Sequence, residues 1–286
     1  MRSATPAGLR AARLSGALLA VMLSAPSAWA AFEVSWPDAR SAAMLTRAAD
    51  LLPPLNTGSH RPSTRSGAEP GARPRPRLTM SAGELYGVRE ASGWGARAAA
   101  RLRGASVDVE LTTLGGELYQ ERSLGLRVGL DPDSDLHVAA RARVLGLSAR
   151  GVDDRWTAAV DASVTRRLIG RVLLGAACEN LTRSRIGDSP VATRTRFGAA
   201  LVLPSVVLGW SLLLEEAFAP STVLSFEAAL TDWLCLRAGA RDAPGKLGFG
   251  IGVGRRSSGP WPVVDLAWQW HPELGVSSFV SITIGP

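Results

Sequence analysis

Three histidines, two cysteines and scattered serines and acids are the groups from which this 286-residue chain would have to assemble a catalytic or metal site. Nucleophilic catalysis needs a nucleophile and a base brought together, and metal hydrolysis needs clustered ligands. His60 sits in a proline-rich stretch and His271 in an expected loop. His137 lies beside Arg141 on an alternating segment, where a structural hydrogen bond is its expected role. No HExxH, GxSxG or CxxC spacing occurs. The glycine run "KLGFGIGVGRR" (Lys246 to Arg256) lacks the GxGxxG spacing and the following helix of a dinucleotide loop. The expectation is a non-enzymatic protein with no metal and no cofactor.

The other chemistry-bearing set is arginine. The chain has 32 basic and 25 acidic residues, and Lys246 is its only lysine. The first thirty residues hold a positive start (Arg2, Arg10, Arg13), a short apolar run (Leu14 to Leu23) and the small-x-small triplet Ala28-Trp29-Ala30. That is the layout of a secretory signal peptide over 1–30. Its removal takes three arginines and no acid, so the formal charge falls from +7 to +4. Arginines spread along an exported chain argue against a nucleic-acid partner.

The elements that must position these residues change at about residue 78. Residues 31–53, with "DARSAAMLTRAADLL" ended by Pro53-Pro54, read as a short N-terminal helix, either a plug or a periplasmic extension. Residues 54–77 are rich in proline, glycine, serine and arginine and read as a flexible linker. From Leu78 to the end the apolar residues recur at every second position, the period of a strand with two unlike faces. Leu124, Leu126, Val128 and Leu130 alternate with Gly125, Arg127 and Gly129. Leu136, Val138, Ala140, Ala142 and Val144 alternate with His137, Arg141 and Arg143. In the glycine run, Leu247, Phe249, Ile251 and Val253 share one face, and Gly248, Gly250, Gly252 and Gly254 share the other. Glycine is a poor strand former, so its regular recurrence points to a wall that something approaches closely.

Counting these segments gives about fourteen strands of roughly ten residues, the length a tilted strand needs to cross a bilayer. The expected fold is therefore all-β, an antiparallel transmembrane β-barrel over 78–286 in the outer membrane, in contact with its lipid. A soluble sandwich also alternates, but its wet face carries dense Lys/Glu cover, which is missing here. Charge is also absent from the apolar face of strand after strand, as expected if one charge at mid-bilayer costs roughly 2–4 kcal/mol. Trp94, Trp156, Trp210, Trp233, Trp268 and Trp270 stand near strand ends, as interfacial aromatic girdles do. Connections on the terminal side are expected to be tight, with "RRSSGPWP" the exception; "LTRSRIGDSPV", Leu181 to Val191, is the longest on the other side. Cys178 and Cys235 fall on opposite faces of non-neighbouring strands, so two free thiols are expected.

The polar face then lines a lumen. Its candidates are Arg97, Arg101, Arg103, Arg127, His137, Arg141, Arg143, Arg194, Arg196 and Arg237, with the acids Asp108, Glu110, Asp161, Glu227 and Asp265 and the glycine row. Two readings stay open. An open lumen with excess arginine favours anions, including the carboxylate head of an amphipathic ligand. Alternatively, the charges pair across the interior and seal it.

"LCLRAGA" (Leu234 to Ala240), the glycine-alternating strand, "VVDLAWQWHPELG" (Val263 to Gly275) and "SSFVSITIG" resemble the C-terminal end of PorV-like outer-membrane proteins, in the superfamily of the long-chain fatty-acid transporter FadL. The resemblance is firm over Ser221 to Gly285 and architectural upstream. It implies a fourteen-stranded barrel that transports small hydrophobic or amphipathic molecules. Alternatively it implies an accessory factor that docks secretion-system or periplasmic proteins. "ARSAAMLTRAA" lacks the glycines of the family's N-terminal segment, and the chain ends in "ITIGP" without a terminal aromatic.

Overall fold

The structure is a computed structural model that describes residues 76–102, 105–216, 218–243, 245–254 and 262–285. The signal peptide expected over 1–30, the helix over 31–53 and the linker up to residue 75 lie outside the described residues, as do Arg103 and "RRSSGPWP" up to residue 261. The linker's last residue, Arg77, already belongs to the first strand.

The first half of the barrel is β1 (Arg77–Leu85), β2 (Val88–Leu102), β3 (Ala105–Gly115), β4 (Tyr119–Leu130), β5 (Leu136–Ala149), β6 (Val152–Arg167) and β7 (Val172–Glu179). Two short strands, β8 (Arg185–Ile186) and β9 (Ser189–Pro190), form a separate hairpin. The second half is β10 (Arg194–Val202), β11 (Val206–Glu215), β12 (Phe218–Ala229), β13 (Leu234–Arg241), β14 (Lys246–Val253), β15 (Val263–His271) and β16 (Gly275–Ile284). Each of the fourteen pairs antiparallel with its neighbours, and β1 pairs with β16 from Leu78↔Ile284 to Glu84↔Ser278, closing the cylinder. Closure removes the edge strands and pairs the ladder internally, which a hydrocarbon environment demands.

Alternation decides which side faces out. On β14, Leu247, Phe249, Ile251 and Val253 are exposed while Gly248, Gly250 and Gly252 are buried. On β4, Leu124, Leu126, Val128 and Leu130 are exposed, with Gly125 and Gly129 buried between them. The six tryptophans named above all lie on the exposed side, but Trp94, Trp210 and Trp268 sit in mid-strand rather than near strand ends, because alternation along the sequence does not mark where a strand stops. From Trp156 to Val164 on β6 the outward residues cover about 26 Å of strand, or roughly 20 Å along the barrel axis at a tilt of ~40°. That is close to the apolar band of known membrane barrels.

One seam is irregular. β6 pairs with β7 only from Ala162↔Cys178 to Arg167↔Leu173, whereas its other side pairs with β5 from Arg166 to Val152. Above Ala162 the chain leaving β7 supplies the missing bonds. The Leu181 amide donates to the Val160 carbonyl (2.8 Å), Thr182 Oγ1 accepts from the Val160 amide (3.4 Å), and Ser184 Oγ donates to the Ala158 carbonyl.

Candidate functional site: the lumen

The inward faces of the strands carry the charges, and register decides which of them meet. Arg97 on β2 reaches Asp108 on β3 at 3.1 Å. Arg143 on β5 holds Asp161 on β6 at 2.7 Å, and both side chains are buried. Arg194 on β10 binds Glu215 on β11 at 2.6 Å and stands 4.0 Å from Glu179 on β7. At the terminal mouth, Arg101 and His137 share Asp131; His137 Nδ1 lies 2.8 Å from one carboxylate oxygen, and the Arg101 guanidinium holds the other. Arg127 and Arg196 also face inward, partly buried.

Two arginines reach past their neighbours to a strand two places away, and glycine makes this possible. Arg237 on β13 holds Glu227 on β12 through Nε at 2.7 Å and Asp265 on β15 through Nη1 at 2.5 Å. Between β13 and β15 runs β14, where Gly250 faces Arg237 and Gly252 faces Asp265. Strands lie ~4.8 Å apart, so the Arg237 and Asp265 side chains together span about 10 Å across β14. Register thus puts two residues without side chains, Gly250 and Gly252, between Arg237 and Asp265. Arg141 on β5 does the same across β4, reaching Glu110 on β3 at 2.9 Å. Beneath it is Gly125, whose Cβ, if present, would lie 2.9 Å from Arg141 Nε. The His137 ring lies over Gly129, where a Cβ would come within 2.6 Å of its Cε1. Gly125, Gly129, Gly250 and Gly252 thus serve as saddles for basic side chains. Gly254 is not part of the row: it lies one residue beyond β14 with φ +146° and forms the strand's exit, its amide bonded to the Trp233 carbonyl.

Among the described residues, most inward arginines therefore have an acid beside them. Asp131, Glu179 and Glu215 face inward and take arginine partners, and Glu121 is buried under the Tyr119 hydroxyl, which donates to it at 2.5 Å. Alternation marks the inward faces but leaves these four acids unranked, since they sit at strand ends or in turns. Between the ion pairs the inward surface mixes apolar side chains with the buried hydroxyls of Thr165, Ser211, Ser221, Ser277 and Ser281. Leu85, Ala267 and Phe279 form one buried cluster with Tyr86, Ala91 and Leu114 against it, and Leu173, Val207, Leu213 and Val223 are buried as well. The lumen wall is thus amphipathic.

Among the described residues no group of three or more His, Cys, Asp or Glu is placed to hold a metal ion. Cys178 and Cys235 are free thiols, Cys235 fully buried.

No family model matches the chain, and no curated protein matches it. Solved structures do. A FadL homologue from Pseudomonas aeruginosa superposes with a TM-score of 0.56 at 10% identity, covering 89% of this chain and 99% of that one. The outer-membrane protein Omp33 of Acinetobacter baumannii superposes with a TM-score of 0.50 at 11% identity, covering 73% and 97%. At such identities the likeness is one of fold. The barrel has the FadL-like architecture, and a specifically PorV-type likeness is not shown.

Proposed function

We propose that the chain is an outer-membrane diffusion channel for small hydrophobic or amphipathic molecules, including those with an anionic head. The observation that carries this reading is the barrel wall itself, greasy outside and amphipathic inside. Buried apolar groups such as Leu213, Val223 and Phe279 share the inward faces with buried serines and with paired arginines and acids. An apolar body is accommodated by the first set. A carboxylate finds guanidinium donors at the part-exposed pairs, such as Arg97, whose side chain is 27% exposed. The FadL-like fold, shared with the outer-membrane protein Omp33, supports the location. The docking alternative needs broad loops, and the described connections other than that between β7 and β10 are turns of a few residues.

The test is reconstitution of the mature chain in planar bilayers and liposomes. The reading expects discrete conductance, together with faster uptake of a medium-chain carboxylate than of a sugar of similar mass. A silent bilayer and uptake no faster than empty liposomes would overturn it.

A further inference from the structure

We propose that the β8–β9 hairpin is the selectivity element of the lumen, a constriction built by the β7–β10 connection turning inward. This rests on the channel reading above. The hairpin, Arg185–Ile186 paired with Ser189–Pro190, turns at Gly187-Asp188 with Gly187 at φ +60°, as a two-residue turn with glycine first requires. Ile186 and Val191 are buried against Leu145 on β5 and Ala159 on β6, both inward-facing residues. The hairpin thus lies on the inner face of the wall rather than projecting beyond the rim. A Cβ at Gly187 would lie 2.9 Å from Cζ of Arg155, another inward residue of β6.

Asn180, fully buried with φ +54°, staples the hairpin's base. Its Nδ2 donates to the Val191 carbonyl at 2.7 Å, and its Oδ1 accepts from the Ser184 amide at 2.9 Å, so one side chain grips both limbs. Its own amide donates to Asp161 at 2.9 Å, the acid that Arg143 holds, which ties the hairpin to the lumen's ion pairs. A loop moving freely in solvent would not need a fully buried staple. Since Ile186 points at the wall, its strand neighbour Arg185 points away from it, its guanidinium donating to the Asp188 carbonyl on the exposed side of the hairpin. Arg183, Arg185 and Asp188 are exposed on and beside the hairpin, with basic groups in the majority, and a constriction of that charge favours anions.

Single-channel recording on three variants tests the proposal: a deletion of 185–190 closed by Gly-Ser, the point variant Ile186→Ser, and Arg185→Glu. Removing or unseating the hairpin is expected to raise conductance about twofold or more, and Arg185→Glu to shift the chloride-to-potassium permeability ratio severalfold toward the cation. Should the deletion fail to fold, Ile186→Ser carries the test. A wild type that is silent while the deletion conducts would make the hairpin a plug and overturn its role as a selectivity element. A conducting wild type with unchanged conductance and ion preference in the folded variants overturns the hairpin's role and leaves the channel reading standing. Silence in every variant overturns both.

Discussion

Replacing Gly250 by valine should disconnect Arg237 from Asp265 without touching either residue. The valine methyls would occupy the strip of β14 on which the arginine side chain lies, between partners on β12 and β15. Two terms set the size of the effect. Overpacking a close-packed interior costs typically ~1–3 kcal/mol. Leaving one member of a buried ion pair without its partner costs about 3–5 kcal/mol. The larger figure applies here because the side chains of Arg237, Glu227 and Asp265 are only 1%, 4% and 8% exposed. Arg237 keeps Glu227, so the pairing term sits at the lower end of that range, about 3 kcal/mol, and with ~1 kcal/mol of overpacking a loss of about 4 kcal/mol is expected for Gly250→Val. Gly125→Val, under the Arg141–Glu110 bridge, should lose about 1–2 kcal/mol, because those partners are 12% and 25% exposed and water screens them. The assay is urea unfolding in detergent micelles, with Ile251→Ala on the outward face of the same strand as the control. In an Arg237→Met background Gly250→Val should retain only its overpacking term, a coupling above roughly 1 kcal/mol. Equal losses with and without Arg237 would refute the saddle argument.

Further outcomes follow from the same geometry. Leu126→Arg places a charge on the lipid face of β4 and should destabilise the barrel in lipid vesicles by roughly 2–4 kcal/mol; an unchanged unfolding midpoint would mean that this face is not in hydrocarbon. Asp242, in the turn between β13 and β14, has its carboxyl held below the usual range, first because the Thr222 amide donates to it at 2.7 Å. A depressed folded value means the contribution is complete above the ordinary ~3.9 and fades only as pH falls through the lower folded value. Hydrogen exchange at the Thr222 amide, once corrected for intrinsic rates, should therefore be flat from pH ~7 to about 5 and accelerate in stronger acid; Asp242→Ala should abolish that pH dependence. Cys178 and Cys235 should form no disulfide under oxidant. A mobility shift on non-reducing gels that reductant reverses would contradict their placement on β7 and β13.

Alternation alone located the strands, because a sheet with lipid on one side and a lumen on the other leaves the period of two in every segment. The glycine row on β14 was legible as an inward face for the same reason. Its purpose was not, since no spacing along the chain connects Arg237, Gly250 and Asp265; the register of two successive ladders, β13 on β14 and β14 on β15, brings them together. Gly125 beneath Arg141 carries the same lesson: no spacing rule links them, because the contact depends on β4 and β5 being paired with Arg127 opposite Arg141. Gly254 looked like a fourth member of the row because alternation has no signal for a strand's end. The β8–β9 hairpin was hidden for a different reason. "LTRSRIGDSPV" is polar apart from Leu181, Ile186, Pro190 and Val191, and nothing in that composition says that Ile186 and Val191 bury themselves against Leu145 and Ala159.

The pairing of the interior changes what the arginines can do for a solute. An unpaired arginine in a water-filled pore attracts any anion through a long-range field, which salt screens. A guanidinium already bound to Asp161 or Asp265 has little far field, because the acid cancels it at a distance; its remaining donors act only on a group that comes within hydrogen-bond reach. A wall of neutralised pairs set among Leu213, Val223 and Phe279 therefore favours molecules that make close contact over ions that merely pass. It follows that small-ion preference should depend on the exposed charges of the hairpin, and carboxylate uptake on the buried pairs, so Arg185→Glu and Gly250→Val should separate the two. If both properties moved together in each variant, the lumen would be acting as a single electrostatic field, and the division between hairpin and wall would fail.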